Sequence, residues 1–315
     1  MAEAYLFVHF REKTTPDGEQ VYFGLSRDGF HWESVNGGRP VLWAYYGDKG
    51  VRDHTIARRK DGGFVILSTD LSLSYGMRGQ YHGSWDEISR HGSRCLSLWE
   101  SPDLVTWTEQ RLIDMGDDGF GCVWAPDLIW DEQDGSWLLH WSSSHRSNGY
   151  GDKSIWCCRT KDFHTFTKPK ELYRDPACGV IDSAIYREGG TWYMFLKHEK
   201  DPACVRLMKA PAAEGPYTVI PAFDEEMAKL QSGKYEAPTA FRTDDGRWCL
   251  FLDYYGVRGA GQGYVPFVAE SIDSGRFIRS DAAFSFPYGF KHGTILPISL
   301  EEYERIRAHE WRDDQ

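Results

Sequence analysis

Four acidic residues and one histidine recur along the chain at the start of short apolar segments; in order they are Asp53, Asp127, Asp182, Glu236 and His292. An aromatic residue follows each acid at a nearly constant distance, after a Gly-containing turn, and these residues are Phe64, Trp137, Trp192 and Trp248. When carboxyl groups share one site, burial and mutual repulsion separate their pKa values, so one can stay protonated while another is ionised. The hydrolysis of a glycosidic bond requires a proton donor and a base of this kind.

The spacing of these five residues indicates one repeated structural unit of about 55 residues. The intervals from Asp127 onward are nearly equal, whereas the first interval, from Asp53 to Asp127, is longer. This longer interval contains residues 75–94, a segment rich in Gly, His and Ser that we predict to be a loop. A second motif, Ser/Thr-x-Asp with an aromatic residue four positions after the Asp, predicts a turn and starts at Ser26, Ser101, Thr160 and Ser271.

The apolar segments between these turns have the length of β-strands, roughly four to a unit. The last unit begins at His292 and runs out of chain, and Tyr5–Phe10 and Val21–Leu25 can supply its missing strands. The sequence therefore predicts an all-β fold, a five-bladed β-propeller closed by strands from both termini. We expect it to form a single catalytic domain over residues 1–315.

Helix is scarce in the sequence pattern. Ser299 and Glu302 have the spacing of a capping box, which predicts a short C-terminal helix through about His309. Residues Asp224–Leu230 predict one further helical turn.

The first strand of each blade lines the central channel of a propeller, so the four acids and His292 are expected to occupy equivalent positions and to meet at one mouth. Folding alone gives no reason to gather four carboxylates, because their charges repel and lose water together. Trp124, three residues before Asp127, is predicted to lie at this mouth, where its ring can stack on the face of a sugar.

The composition argues against several classes of partner and site. Thirty-six basic and 47 acidic residues give a net charge of −11, which repels phosphate backbones and anionic lipids and disfavours nucleic acid and membrane partners. The seven cysteines are odd in number and show no C-x-x-C spacing, so we predict neither a disulfide framework nor a structural zinc site. The N-terminus lacks the pattern of a signal peptide, and together with the free thiols this predicts a cytoplasmic protein.

Five motifs make the chain resemble glycoside hydrolase family 43, whose members are five-bladed β-propellers. They occur in the family's order over nearly the whole chain and comprise Gly50–Asp53 with Leu67–Asp70, Trp124–Asp127, Val180–Ile185, Tyr235–Pro238 and Lys291–Pro297. Each motif alone is weakly specific, whereas five in the right order are strongly so.

The resemblance implies an inverting hydrolase with three carboxylates. Asp53 matches the general base, Asp182 the residue that tunes the pKa of the proton donor, and Glu236 the general acid. The resemblance also implies substrate contacts for Asp127, Trp124, Asp70 and His292. It implies no required cofactor, but the position of His292 often faces a water-filled axial cavity that in some members holds Ca²⁺ or another cation.

The chain departs from the family pattern at three positions. His54 and Ser183 follow the base and the modulator, where the family commonly has Pro, and this alters the entry of each strand. Lys291 replaces an Arg that is common in the family before the His-Gly-Thr element. A lysine binds a ligand through a single ammonium, whereas a guanidinium can donate two parallel hydrogen bonds.

We therefore expect an exo-acting α-L-arabinofuranosidase that acts on arabinose- or xylose-containing oligosaccharides derived from hemicellulose. β-Xylosidase and β-galactofuranosidase activities remain open, because loop side chains decide which sugar fits such a site. A non-catalytic sugar-binding propeller is a further alternative, but it gives no reason for unlike acids at the axis. The Asn-Asp-Pro element of the related retaining β-fructosidases is absent, and the 11 histidines include no H-E-x-x-H motif for metal-dependent hydrolysis.

Overall fold

The repeated segments fold into short β-strands that pack as five blades. The computed structural model describes residues 3–11, 15–200, 204–230, 233–256, 263–287 and 289–311. Within these residues the chain forms twenty strands in five antiparallel four-stranded sheets. The first strand of each sheet contacts the first strands of the sheets on either side, so these five strands surround one axis. The predicted five-bladed β-propeller is confirmed.

The blades follow one another in chain order. The N-terminus supplies the three outer strands of blade 5, β1 (Ala4–His9), β2 (Tyr22–Ser26) and β3 (Trp32–Ser34). Blade 1 contains β4 (Val51–Arg58), β5 (Phe64–Asp70), β6 (Cys95–Ser101) and β7 (Arg111–Asp114). Blade 2 contains β8 (Trp124–Asp131), β9 (Ser136–Ser143), β10 (Ser154–Thr160) and β11 (Lys170–Tyr173). Blade 3 contains β12 (Val180–Glu188), β13 (Thr191–His198), β14 (Cys204–Ala210) and β15 (Thr218–Val219). Blade 4 contains β16 (Lys234–Arg242), β17 (Trp248–Tyr255), β18 (Gly263–Ala269) and β19 (Ile278–Arg279), and blade 5 is completed by β20 (Gly293–Ile298).

Blade 5 joins the two ends of the chain. β20 pairs antiparallel with β1, so that Pro297 lies opposite Tyr5. This pairing closes the ring, as the sequence predicts, and covers sheet edges that an open array would expose. The ring of Phe7 lies 5.7 Å from that of Trp32 within blade 5 and 6.5 Å from that of Phe251 in blade 4. Aromatic packing therefore holds the closing blade to its neighbour.

Three of the four Ser/Thr-x-Asp motifs form one kind of turn, whereas the copy at Ser271 forms a 3₁₀ turn in which Asp273 pairs with Tyr193 and Lys209. In the first copy, the Ser26 hydroxyl accepts a hydrogen bond from the N–H of Gly29 (2.9 Å), and Asp28 accepts one from the N–H of His31 (2.8 Å). The ring N–H of Trp32 donates to the carbonyl of Gly29 (3.1 Å), so the aromatic ring closes the turn. The copies in blades 1 and 2 repeat the hydroxyl and carboxylate bonds around Ser101, Asp103, Thr160 and Asp162.

Short helices connect some of the strands; they are α1 (Leu73–Gly76), α2 (Trp85–His91), α3 (Pro221–Met227) and α4 (Leu300–Ala308). Single 3₁₀ turns lie at Asn36–Gly38, Arg146–Asn148, Ile272–Ser274 and Asp281–Ala283. The predicted C-terminal helix is confirmed as α4, because the Ser299 hydroxyl accepts from the N–H of Glu302 (3.2 Å) and the Glu302 carboxylate accepts from the N–H of Ser299 (2.9 Å). The turn predicted at Asp224–Leu230 is α3, which begins earlier because Pro221 suits the first helical position.

The prediction of a loop for residues 75–94 is wrong in part, because α1 and α2 occupy much of this insertion. The Ser72 hydroxyl caps α1 by accepting from the N–H of Tyr75 (3.1 Å), and Ser84 caps α2 by accepting from the N–H of Glu87 (3.2 Å). None of the helices in the described part of the chain is long and apolar enough to cross a membrane. All seven cysteines are free thiols, as the sequence predicts.

Candidate active site

A β-bulge interrupts the first strand of blades 1 to 4 near its N-terminal end. At each bulge the register against the second strand skips two residues, and these pairs are Asp53 with His54, Ala125 with Pro126, Asp182 with Ser183, and Ala237 with Pro238. The first residue of each pair has a left-handed φ between 49° and 55°. Non-glycine residues in this conformation store strain, and such strain clusters where a side chain is held for function.

The bulges show that the four acids are not in equivalent positions. Asp53 and Asp182 coincide, whereas Glu236 lies one residue before the bulge and Asp127 lies two residues after its first residue. The prediction of equivalent positions is therefore wrong for Glu236 and Asp127. The distance from each acid to the following aromatic residue varies slightly from blade to blade. An offset of one or two residues relative to the bulge therefore cannot be recognised from that distance. The offset places the acids at different heights along the channel and gives them different neighbours.

Asp53 forms an ion pair with His292, the residue before β20. The Nδ1 of His292 lies 3.1 Å from Oδ1 of Asp53, and the Thr69 hydroxyl donates to Oδ2 (2.9 Å). Burial would raise the pKa of Asp53, but the charge and hydrogen bond of His292, together with Arg52, hold that pKa at about 2. Burial would lower the pKa of His292, yet Asp53 and Asp182 raise it to about 9. At neutral pH, Asp53 is therefore a carboxylate and His292 an imidazolium.

Asp182 is fixed through both its backbone and its side chain. Its N–H donates to the hydroxyl of Ser142 (3.0 Å), and its Oδ2 accepts from the N–H of Ala237 in blade 4 (3.2 Å). Burial raises the pKa of Asp182 to about 6; the charge of His292 opposes this rise and the carboxylate of Glu236 adds to it. Asp182 therefore takes up a proton far more readily than Asp53, although both occupy the same position in their blades.

Glu236 is paired with a lysine. The Nζ of Lys197, on β13, lies 2.6 Å from Oε2 of Glu236 and donates to the hydroxyl of Tyr255 (2.8 Å). Burial would raise the pKa of Glu236, but the charge and hydrogen bond of Lys197 outweigh burial and lower it. A proton donor is expected to have a raised pKa. The lowered pKa of Glu236 disagrees with that expectation. The structure brings Glu236 to the axis with Asp53, Asp182 and His292, and its role as general acid stays a prediction.

A second buried ion pair lies behind Glu236. Asp253 is opposite Glu236 on β17, is 0% exposed, and pairs with Lys291. Lys291 is itself buried. This lysine, which departs from the arginine common in the family, thus makes an internal ion pair next to His292 along the chain.

Asp127 lies deeper in the channel than the bulges. Its Oδ1 accepts from the hydroxyl of Thr55 in blade 1 (2.7 Å) and from the N–H of Leu128 (2.8 Å). Burial raises the pKa of Asp127 to about 6, although Thr55 and His292 act against the rise. Asp127 therefore links two neighbouring blades, and a contact between it and a substrate stays a prediction.

The other two residues predicted to bind substrate have different surroundings. Trp124 is partly exposed at the start of β8, and its ring lies 6.2 Å, edge to face, from that of Trp85 in the insertion. Asp70 is buried, and its oxygens accept from the N–H of Asp48 (2.8 Å) and the hydroxyl of Ser93 (2.6 Å). Trp124 thus packs against the insertion with part of its surface exposed, whereas Asp70 holds two loops together in this structure, and a substrate contact for either residue stays a prediction.

Sequence reasoning missed four residues of this region, namely Lys197, Tyr255, Asp253 and Trp85. Lys197 follows the apolar run Met194–Leu196, and Asp253 follows Leu250–Leu252. A charged residue inside a buried strand is the signal that could have identified both, because burial of a charge requires a partner. Trp85, 51% exposed, could have been recognised from the cap motif that begins α2.

The described residues around His292 offer few ligands for the cation that the family resemblance allows. The Nδ1 of His292 faces Asp53, so only its Nε2 could face a metal, and only when the imidazole is neutral. Among the residues that the structure describes, no group of three or more His, Cys, Asp or Glu side chains is arranged to hold a metal ion. The axial cation stays a prediction, and we derive no step through it.

Replacing His292 by Gln is expected to lower the free energy of unfolding by about 1.5–3 kcal/mol at pH 5.5 and by less at pH 9.5. The pKa of His292 is raised from 6.5 to about 9, so its contribution is fully present below pH 6.5 and is lost as the pH rises through about 9. The pKa of Asp53 is lowered from 3.8 to about 2, so its contribution is lost only as the pH falls through about 2. Denaturant unfolding of both proteins at the two pH values measures the difference, and an equal difference at both would contradict the ion pair.

Comparisons with known proteins agree with the geometry. A family model described as "Probable glycosyl hydrolase domain", for the glycosyl hydrolase family 43-related domain, matches residues 1–304. An α-L-arabinofuranosidase of Bifidobacterium longum is 26% identical over 213 residues, which are 61% of this chain and 19% of that protein. The chain thus spans about a fifth of the length of this curated relative.

Solved structures share the fold at low identity. The exo-1,5-α-L-arabinanase from a bovine ruminal metagenomic library has a TM-score of 0.60 at 17% identity, covering 88% of this chain and 92% of that one. The xylan β-1,4-xylosidase of Bacillus halodurans has a TM-score of 0.61 at 16% identity, covering 85% of this chain and 51% of that one.

Proposed function

Because the chain belongs to the family of domains related to glycosyl hydrolase family 43 and is a glycoside hydrolase, we propose that it is an exo-acting, inverting α-L-arabinofuranosidase. We propose that it removes α-L-arabinofuranosyl residues from hemicellulose-derived oligosaccharides. The observation that carries the proposal is the set of unlike carboxyl groups around His292: an ionised Asp53, an Asp182 with a pKa of about 6, and a Glu236 paired with Lys197. Groups of this kind can supply the base and the acid of an inverting reaction.

In this mechanism Asp53 takes a proton from a water molecule as that water attacks the anomeric carbon. Glu236 gives its proton to the glycosidic oxygen as the bond to the leaving sugar breaks, and the configuration at the anomeric carbon is inverted. The low pKa of Asp53 keeps it in the form that can act as a base. The Oδ2 of Asp182 contacts the backbone at Ala237, next to Glu236, which suits a residue that orients and tunes the acid.

The choice of arabinose rests on the curated relative, which is an α-L-arabinofuranosidase, and on the arabinanase among the solved structures. β-Xylosidase activity is the second candidate, since a xylosidase is also among them. β-Galactofuranosidase activity is a third. We further propose a cytoplasmic location, which the seven free thiols support. Trp124, Asp127, Asp70 and His292 are the proposed contacts to the sugar.

Initial hydrolysis rates on 4-nitrophenyl α-L-arabinofuranoside, β-D-xyloside and β-D-galactofuranoside test the substrate. We expect the arabinofuranoside to be hydrolysed fastest, and a xyloside or galactofuranoside rate more than about tenfold higher would overturn the choice. Proton NMR of the first-formed sugar tests the stereochemistry. Release of the β-anomer from the α-arabinofuranoside supports inversion, and release of the α-anomer contradicts it.

A further inference from the structure

The second strand of each of blades 1 to 4 carries a residue that reaches toward the next blade. These residues lie opposite the one that precedes the bulge, and they are Thr69, Ser142, Lys197 and Asp253. In blades 1 and 2 the hydroxyl accepts from the N–H of the next bulge: Thr69 from Ala125 (2.7 Å) and Ser142 from Asp182 (3.0 Å). At these two positions the side chain therefore fixes the register between neighbouring blades.

Lys197 occupies the same position in blade 3 but cannot play the same part, because an ammonium has no lone pair to accept a hydrogen bond. The N–H of Ala237, which starts the next bulge, donates to the carboxylate of Asp182 instead (3.2 Å). The ammonium reaches Oε2 of Glu236 (2.6 Å) and the hydroxyl of Tyr255 (2.8 Å). A lysine that is 6% exposed is costly unless its charge is matched, so this pairing fixes where both side chains lie.

Several charged or titratable groups surround Glu236, and they are Lys197 on β13, Asp182 on β12, Asp253 and Tyr255 on β17, and Lys291 and His292 before β20. Lys291 pairs with Asp253, and His292 pairs with Asp53. Among the residues that the structure describes, Lys197 is the cation that contacts the Glu236 carboxylate directly. After burial, which raises the pKa of Glu236, Lys197 has the largest influence on it, and the direction of that influence is downward.

On the basis of the proposed role of Glu236 as general acid, we propose that Lys197 is a positioning residue for that acid. Its ammonium holds the Glu236 carboxyl in place and sets the highest pH at which the enzyme can protonate the leaving sugar. A carboxyl group beside a cation loses its proton at lower pH. The alkaline limb of the pH profile of kcat/KM therefore lies at lower pH than it would without Lys197. Tyr255 supports the arrangement by accepting a hydrogen bond from the same ammonium.

The test is the pH dependence of kcat/KM for Lys197→Met, which removes the charge and keeps an apolar side chain of similar length. The substrate is arabinobiose or xylobiose, whichever the wild-type enzyme hydrolyses faster, since a sugar leaving group needs a proton. We expect the alkaline limb to move to higher pH by about 1–3 units. Lys197→Arg, which keeps the cation, is expected to return the limb close to its wild-type position. A limb that stays in place or moves to lower pH in the Met variant overturns the proposal.

Ser142→Ala is the matched control, because it cuts the contact at the same position in blade 2 without changing a charge. It is expected to scale kcat/KM equally at all pH values, and a shift of its limb equal to that of Lys197→Met would contradict the proposal. If circular dichroism shows that the Met variant is unfolded, Lys197→Gln replaces it, since a neutral amide can still donate to Glu236 and Tyr255. Glu236→Gln separates the proposed function from the role of Lys197. If this variant hydrolyses the disaccharide at the wild-type rate, the proposed function is overturned. If it loses turnover but the alkaline limb of Lys197→Met stays in place, only the role of Lys197 is overturned.

Discussion

Replacing Asp53 by Gly is expected to reduce kcat/KM by about 10²–10⁴-fold on substrates with either a sugar or a nitrophenolate leaving group. The base acts on water in the bond-breaking step, so its loss cannot be offset by a better leaving group. Glycine suits the position because φ of Asp53 is 52°, a conformation that a glycine adopts without strain. The substitution therefore removes the carboxylate while keeping the bulge. The measurement is steady-state kinetics on a nitrophenyl arabinofuranoside and on arabinobiose.

Azide provides a second measurement on the same variant. A small anion can enter the space left by the carboxylate and attack without a base, so azide is expected to restore turnover and to give a glycosyl azide of inverted configuration. Ala125→Gly is the matched control, since Ala125 is the equivalent bulge residue of blade 2 and has no carboxylate. It is expected to keep its turnover. If Asp53→Gly retained more than about a tenth of wild-type activity without azide, the assignment of the base would be wrong.

The closure of the ring could be predicted from sequence because it follows from the number of repeated units and of the strands available to complete them. The sequence contains five copies of one pattern, and the last copy lacks most of its strands. The N-terminus contains two strand-like segments that belong to none of the other copies. The pairing of β20 with β1 follows from that deficit. The C-terminal helix could also be predicted, because its signal is short-range. The capping box of Ser299 and Glu302 satisfies N–H groups that any helix N-terminus leaves without an intrahelical partner. The same argument applied to Ser84 and Glu87 would have predicted α2, which a Gly- and His-rich composition concealed.

The relative positions of the acids could not be obtained from spacing alone. A bulge inserts a residue into one strand, and nothing in a single sequence separates a bulge from a longer turn. Asp53 and Asp182 therefore share a position, whereas Glu236 and Asp127 do not, and the difference is visible only in the pairing with the second strand. The left-handed φ at Asp53, Ala125, Asp182 and Ala237 marks the offset.

The charge balance of the site was beyond sequence reasoning for a different reason. That Lys197 needs a partner is predictable from its place in an apolar strand, but the partner lies in the next blade, 39 residues further along the chain. Asp253 and Lys291 likewise meet between separate elements. Burial raises the pKa of every carboxyl group at the axis; His292 outweighs it at Asp53 and Lys197 outweighs it at Glu236, whereas burial prevails at Asp182.

Replacing Glu236 by Gln is expected to separate substrates by their leaving group. With arabinobiose the leaving sugar needs a proton, so kcat/KM should fall by about 10²–10⁴-fold, whereas nitrophenolate departs without one and should lose less than about tenfold. Gln preserves the size of the side chain, and its amide oxygen can still accept from Lys197. The alkaline limb of the remaining activity should also disappear, because it reports the ionisation of the acid in the free enzyme.

Asp182→Asn decides between the two carboxyl groups that could carry the proton. Asp182 has the higher pKa, about 6, and by that criterion alone it would be the donor. If Glu236 is the donor, Asp182→Asn should slow arabinobiose by a smaller factor than Glu236→Gln does, because Asp182 acts on the proton transfer only through its contact at Ala237 and its charge. If instead Asp182→Asn causes the larger loss on arabinobiose and Glu236→Gln slows both kinds of substrate alike, the roles are exchanged. The comparison holds because both substitutions keep the shape of the side chain, so the leaving-group dependence reports the proton and not the packing.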